Sequence, residues 1–168
     1  LDGGKKHGAP PALYKQRTRP CPGSEILSSR HFPEALQGNL LVGNVIGFQG
    51  ILQYKLSPDG GSFAGTEVEA VVSSSDPNFR PSDMEMGPDG ALYFCDWHKP
   101  LIGHMQHHIR DPNRDQVHGR VYRITYPARP LLKPANISGA SIENLLDVLK
   151  EPEDRTRYCA RIELGGRE

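Results

Sequence analysis

The sequence predicts a mainly β chain that ends in a short helical hairpin, and three observations carry that expectation. Turn-forming residues are abundant, with 18 glycines and 15 prolines, which leaves room for few long elements. Glycine-led apolar runs recur. Gly38-Asn39-Leu40-Leu41-Val42-Gly43-Asn44 lines up with Gly90-Ala91-Leu92-Tyr93-Phe94-Cys95-Asp96, and Gly50-Ile51-Leu52-Gln53-Tyr54-Lys55-Leu56 lines up with Gly119-Arg120-Val121-Tyr122-Arg123-Ile124-Thr125. Towards the end the apolar period changes from that of a strand to that of a helix.

Residues 1 to 30 are rich in Pro, Gly, Ser and basic side chains without periodicity and read as loop or linker. Residues 31 to 130 are the β part. In each copy of the repeat a mostly apolar strand leads to a small or acidic turn residue, and a second strand follows with alternating apolar and polar side chains, as a half-buried antiparallel strand should have. Thr66-Glu67-Val68-Glu69-Ala70-Val71-Val72 alternates again and reads as an outer strand. Gly87-Pro88-Asp89-Gly90 is a tight turn feeding the strand that starts near Leu92. Asp83 and Asp89 therefore read as turn formers before they read as calcium ligands.

The leading glycines of the two copies, Gly38 and Gly90, are 52 residues apart. That spacing suits about two four-stranded blades of a partial β-propeller. The copies differ in one respect: Gly38 to Gly50 is 12 residues, whereas Gly90 to Gly119 is 29. The difference is an insertion at a strand connection, expected to fold over one face of the sheet assembly. Residues 131 to 168 read as the start of a HEAT-like helical repeat. Ser141 is the expected N-cap, and Ile142, Leu145, Leu146 and Leu149 form an apolar stripe. A second helix starts near Pro152, with Tyr158, Ile162 and Cys159 as its expected apolar face and Gly165-Gly166 as its stop.

Twenty basic residues balance twenty acidic ones, so no global field favours nucleic acid or an anionic membrane. No run is long enough to span a bilayer, and the polar start Leu1-Asp2-Gly3-Gly4-Lys5-Lys6-His7 is no signal peptide. The expectation is a piece of something larger, with the remaining blades and helical repeats as its partners. Cys21, Cys95 and Cys159 are widely spaced and odd in number, with neither a Cys-x-x-Cys metal pair nor a haem-attachment motif.

The insertion, residues 98 to 118, holds His98, His104, His107, His108 and His118, five of the seven histidines. His104, His107 and His108 are spaced i, i+3 and i+4, so one helical turn would set His104 beside both others. Such a pair can share a transition-metal ion, with Asp96, Asp111 or Asp115 supplying oxygen. The same imidazoles can instead hold the insertion onto the sheet by packing and hydrogen bonds. Trp97 reads as packing between blades or as stacking on a ligand.

Taken together, these words carry a resemblance from about Cys21 to Glu168. His31-Phe32-Pro33, Phe48-Gln49-Gly50-Ile51, Phe79-Arg80-Pro81, Gly87-Pro88-Asp89-Gly90-Ala91-Leu92-Tyr93, Asp96-Trp97, Gly103-His104-Met105-Gln106-His107, His118-Gly119-Arg120-Val121-Tyr122-Arg123 and Leu149-Lys150-Glu151-Pro152-Glu153-Asp154-Arg155 are similar to bacterial membrane-bound dehydrogenases. Those proteins join a quinoprotein, sorbosone/glucose dehydrogenase-like six-bladed propeller to HEAT-like helices and often to a c-type haem domain. The resemblance implies a periplasmic or cell-envelope oxidoreductase acting on sugars or other alcohols, with pyrroloquinoline quinone (PQQ) and calcium on one propeller face. It also implies a cofactor-binding role for Arg80, which stands shortly before Gly-Pro-Asp-Gly, with Asp96 and Trp97 beside it. A guanidinium can grip a carboxylate or quinone oxygen through parallel hydrogen bonds. The alternative for Arg80 is a pairing with Asp83 or Asp89 that stiffens the turn. The catalytic histidine of those enzymes comes from an earlier blade and has no counterpart here, and haem does not carry over. The alternative for the whole is a non-catalytic platform that binds carbohydrate or protein.

Overall fold

Gly38 and Gly90 sit two residues ahead of equivalent strands, and both take left-handed backbone, with φ of +77° and +81°. The computed structural model describes residue 13 and residues 21–101 and 111–167. Among these, β1 (Ser24–Ile26), β2 (Leu40–Asn44), β3 (Gly50–Asp59) and β4 (Ser62–Ser73) form one antiparallel sheet in sequence order. A second antiparallel sheet comprises β5 (Pro81–Met86), β6 (Leu92–Asp96) and β7 (Arg120–Ile124). Two helices follow, α1 (Ile142–Val148) and α2 (Asp154–Gly165). The chain is thus mainly β with a helical hairpin, and the two sheets do not close into a ring.

The internal repeat is structural as well as textual. Ile26 pairs with Leu40 as Met86 pairs with Leu92, and β3 follows β2 as β7 follows β6. The last strands align one residue away from the sequence match. Gly50 lies opposite Asn44, but Arg120, not Gly119, lies opposite Asp96. A one-residue slip exchanges the faces of a strand, so pairing and not the glycine match decides which side chains correspond.

Four features depart from the sequence reading. The second sheet has three strands among the described residues, not four, because after β7 the chain runs into Pro127 and Pro130 and crosses to the first module instead of turning back. There His31, 1 % exposed, fixes the crossing: its Nδ1 meets the Pro130 carbonyl at 2.9 Å, and its Nε2 accepts the Tyr126 N–H at 2.8 Å. Arg129 adds bonds to the carbonyls of Arg30 and Phe32. Strand β1 falls inside the stretch read as linker, since three residues are too few to display a period. Strand β5 is a further addition, with Met84 and Met86 alternating inward ahead of the turn.

The fourth departure concerns the helices. Ser141 caps α1, accepting the Asn144 N–H, and Leu145 is buried with Leu149 packed near it. Ile142 and Leu146, however, are half exposed, as are Tyr158 and Ile162 on α2; the buried face of α2 is Ala160 with Leu164. Leu145, Leu149 and Leu164 fill the seam around Ala160, which leaves the remaining apolar side chains on the outer faces of the two helices.

The sheets are stacked face to face. Leu41 and Ile51 of the first meet Met84, Met86, Leu92 and Phe94 of the second, with Leu27, Phe32 and Phe79 completing the cluster. Each such side chain contributes on the order of 1.5–3 kcal/mol by leaving water. The approach is close at two glycines. A Cβ on Gly43 would stand 2.9 Å from the Pro81 carbonyl oxygen and 3.1 Å from the Met84 methyl, and one on Gly23 would stand 2.7 Å from the Asp83 Cα. Gly43→Ala should therefore cost about 1–3 kcal/mol in urea unfolding, whereas Gly61→Ala, with open space around it, should stay within ~1 kcal/mol. Equal effects would mean that the sheets do not meet there.

Candidate functional site

The polar side chains collect at one end of the second sheet, where β5 begins, β6 ends and β7 begins. Asp96 is the hub. It is 2 % exposed, because its position on β6 faces the first sheet in line with Leu92 and Phe94. Its Oδ1 accepts the backbone N–H of Arg80 at 2.7 Å and that of His98 at 2.9 Å. Its Oδ2 accepts Arg120 Nε at 2.6 Å, and Arg120 reaches on to Asp76 at 3.1 Å. Antiparallel pairing sets Arg120 opposite Asp96, so the ion pair follows from register.

Arg80 is 6 % exposed and donates through Nη1 to its own neighbour's carbonyl, that of Phe79. Its buried Nε has no hydrogen-bond partner. Burial lowers its pKa, and the charges of Asp76 and Asp96 oppose that shift. It pairs with neither turn aspartate. Asp89 is taken by the Ala91 N–H, the Tyr93 hydroxyl and Arg123, and Asp83 accepts the Met84 N–H. The turn itself forms as read, with Gly90 N–H bonding the Gly87 carbonyl at 3.0 Å.

Trp97 is 46 % exposed, and its backbone N–H donates to the Arg80 carbonyl. It stands at the surface beside the hub and is not wedged between the sheets. Next to the hub lies a cleft of about 290 Å³, with Phe79, Phe94 and Tyr122 on one side, Val72 to Ser74 on the other and Asp76 at its rim. Tyr122 stacks on Phe94 with ring centroids 5.2 Å apart, and the Arg120 guanidinium lies 5.7 Å from the Tyr122 ring centre.

The ends of the insertion return to the same place. His98 has φ of +50°, the one non-glycine with positive φ among the described residues. Its Nε2 lies 3.6 Å from Asp115 Oδ2, which His118 Nδ1 approaches to 2.7 Å. Asp115 is held well below the usual carboxylate range, first by the Val117 N–H and then by the His118 N–H. His104, His107 and His108 lie outside the described residues. Among those described, no three or more His, Cys, Asp or Glu side chains are grouped to hold a metal, and none of the three cysteines forms a disulfide.

Arg80, Asp96 and Trp97 are thus brought together. They fit an anionic cofactor at one point: the unpartnered Arg80 Nε can receive a carboxylate or carbonyl oxygen. They do not offer calcium a cage, since it takes six to eight oxygens and both oxygens of Asp96 already accept N–H donors. Sequence reasoning gives no role to Arg120 and names His98 only as one of the insertion's five histidines. Register would have exposed the first, but nothing in the sequence marks which histidine takes the left-handed backbone seen at the second.

A pair of sheets packed face to face, with a charged hub at one end of the second, defines a β-rich scaffold with one polar end. The chain belongs to the family of a domain of unknown function, DUF7133, whose model matches residues 12–128. The match takes in both sheets and stops before the helices. Neither the curated proteins nor the solved structures contain a match. No described helix is long and apolar enough to cross a membrane.

Two expectations follow. Asp96→Ala leaves two backbone N–H groups and a partly exposed guanidinium without their acceptor, and should cost about 3 kcal/mol in urea unfolding; a cost below ~1 kcal/mol would contradict the hub. Acid sensitivity is the other. Asp76 is held low mainly by the Asn78 N–H, and Asp89 is held low although burial pushes the other way, because the Tyr93 hydroxyl, the Ala91 N–H and Arg123 outweigh it. Carboxyls depressed on folding contribute stability above the ordinary range near about 4, and that contribution disappears as pH falls through their folded values. The midpoint of urea unfolding should therefore be flat from neutral pH to about 5 and drop below about 4. A midpoint that rises on acidification would contradict these pairings.

Proposed function

We propose that the two sheets are successive blades of a β-propeller, and that the chain is part of a quinoprotein-type oxidoreductase of the cell envelope acting on sugars or other alcohols. One observation carries the architectural half. The face of the first sheet that holds Leu41, Gly43 and Ile51 packs on the second sheet's Leu92 and Phe94. In the second sheet the corresponding positions are Tyr93, Cys95 and Val121. Ile51 is 0 % exposed and Val121 is 73 % exposed. Modules that stack head to tail leave such a face for the next module, which is the way a propeller grows.

The chemical half rests on Arg80 together with the sequence resemblance. PQQ, when bound, would supply the two-electron acceptor that alcohol oxidation needs. Arg80 would hold one of its oxygens through Nε, Asp96 would keep the Arg80 backbone in place and balance its charge, and half-exposed Trp97 would offer an aromatic face. Metal at the insertion is part of the same proposal through His104, His107 and His108.

A second reading, a non-catalytic platform for carbohydrate or protein, is favoured by the saturation of Asp96 by protein donors. Dye-linked dehydrogenase assays on the full-length propeller protein separate the two. The oxidoreductase reading expects turnover of sugars or alcohols only with PQQ and calcium added, and loss of PQQ uptake in Arg80→Ala with partial retention in Arg80→Lys. Flat activity across sugars and alcohols with both supplied would overturn it.

A further inference from the structure

We propose that the free edge of β7 docks one further β-strand, carried elsewhere on the full-length polypeptide, which completes the second sheet. The proposal rests on the propeller reading above, in which each sheet is a blade. The second sheet stops one strand short of the first. There β4 continues the sheet beyond β3, whereas among the described residues β7 pairs with β6 alone. The residues that follow β7 do not supply the strand. Tyr126 and Pro130 are tied to His31, and the chain then goes on to α1.

An apolar trough runs along the open edge. The cleft of about 290 Å³ beside the hub and a second of about 430 Å³ adjoin at Ile124. One wall of the trough is β4, with Val68 and Val71 in the larger cleft and Val72 in the smaller. The other wall runs from Tyr122 to Tyr126. Tyr122 and Ile124 stand on this side because they pair with Phe94 and Leu92, which face the seam. Although its ring stacks on Phe94, Tyr122 stays 36 % exposed. A strand paired with β7 would lie about 4.8 Å further out. Its alternate side chains, beside Tyr122 and Ile124, would enter the two clefts.

The edge also lacks the devices that keep exposed strands from pairing, namely lysine, proline, bulges or a covering loop. Arg120-Val121-Tyr122-Arg123-Ile124 contains neither Lys nor Pro, and its register against β6 is unbroken. Both arginines are held by carboxylates, Arg120 by Asp96 and Asp76 and Arg123 by Asp89. The corresponding edge of the first sheet is treated differently: on β4 the Gly65 N–H donates to the Leu13 carbonyl at 2.8 Å. The occupant is therefore an antiparallel strand with two apolar side chains, two positions apart, for the clefts. Main-chain pairing supplies its affinity and the clefts its selectivity. Its source is the same polypeptide, as the first sheet takes its own fourth strand from its own chain.

The test compares amide hydrogen exchange in the full-length protein and in the 168-residue chain, each purified alone. The β7 amides that point away from β6 should exchange about tenfold or more slowly in the full-length monomer. In the short chain, a capped peptide of alternating Thr and Val with Glu at both ends should slow the same amides and shift Tyr122 and Ile124 saturably. The same peptide with Asn for Val should do neither. Equal exchange in the two proteins, or a Thr-Val peptide that leaves Tyr122 unmoved, would overturn the inference. Protection that appears only when sedimentation shows two copies associated would overturn it too, by making the occupant a second copy. The Val121 methyls report separately on the next blade. If they lose solvent contact in the full-length protein while the β7 amides stay open, the propeller reading stands and this inference fails. Slow β7 amides beside a still exposed Val121 would do the reverse.

Discussion

The structure depends on how closely two sheets can approach. At Gly43 and Gly23 the first sheet has no side chain, and the backbone of β5 comes so near that a Cβ would meet Pro81 O or the Asp83 Cα at less than 3 Å. That approach lets Met84 reach across and puts Leu41 and Ile51 in contact with Phe94 and Leu92. It also brings the start of β5 under the end of β2, and so sets where Arg80 lies. A core filled this tightly tolerates little change in volume at the contact, so the glycines constrain the modules more than any single apolar side chain does.

From this seam the polar end follows. Asp96 lies on the face of β6 that is turned towards the seam. A carboxylate there must be paired, and register supplies Arg120 opposite it while the bulge between Pro81 and Asp83 turns the Arg80 N–H towards it. His98, two residues beyond the hub, is drawn into left-handed backbone by the same oxygen. The histidine-bearing insertion therefore begins from a fixed point, and its far end, Asp115 to His118, returns to that point. One buried carboxylate thus organises the connection in which chemistry was sought.

Much of this was legible from residues alone. The glycine-led repeat located β2, β3, β6 and β7, alternation from Thr66 to Val72 located the outer strand, and Ser141 located the first helix. Two strands escape, Ser24–Ile26 because it is three residues long and Pro81–Met86 because Ser82, Asp83 and Glu85 leave it few apolar side chains. The helical stripes differ at Ile142, Leu146, Tyr158 and Ile162, since periodicity does not say which of two adjacent apolar stripes turns to the partner helix. At the site, Arg80 and Asp96 were singled out by resemblance and do meet, but through backbone and field and not through a side-chain pair. Arg120 is visible only once β6 and β7 are in register, and His98 only once its dihedral angle is known.

The central claim is that two equivalent sheets share one seam at Gly43. Nuclear Overhauser spectroscopy on methyl-labelled protein tests it most directly. The account predicts cross-peaks from the Met84 methyl to the Gly43 Hα, and from Ile51 methyls to the Phe94 ring. Cross-peaks confined to pairs within each sheet, with none between them, would contradict it.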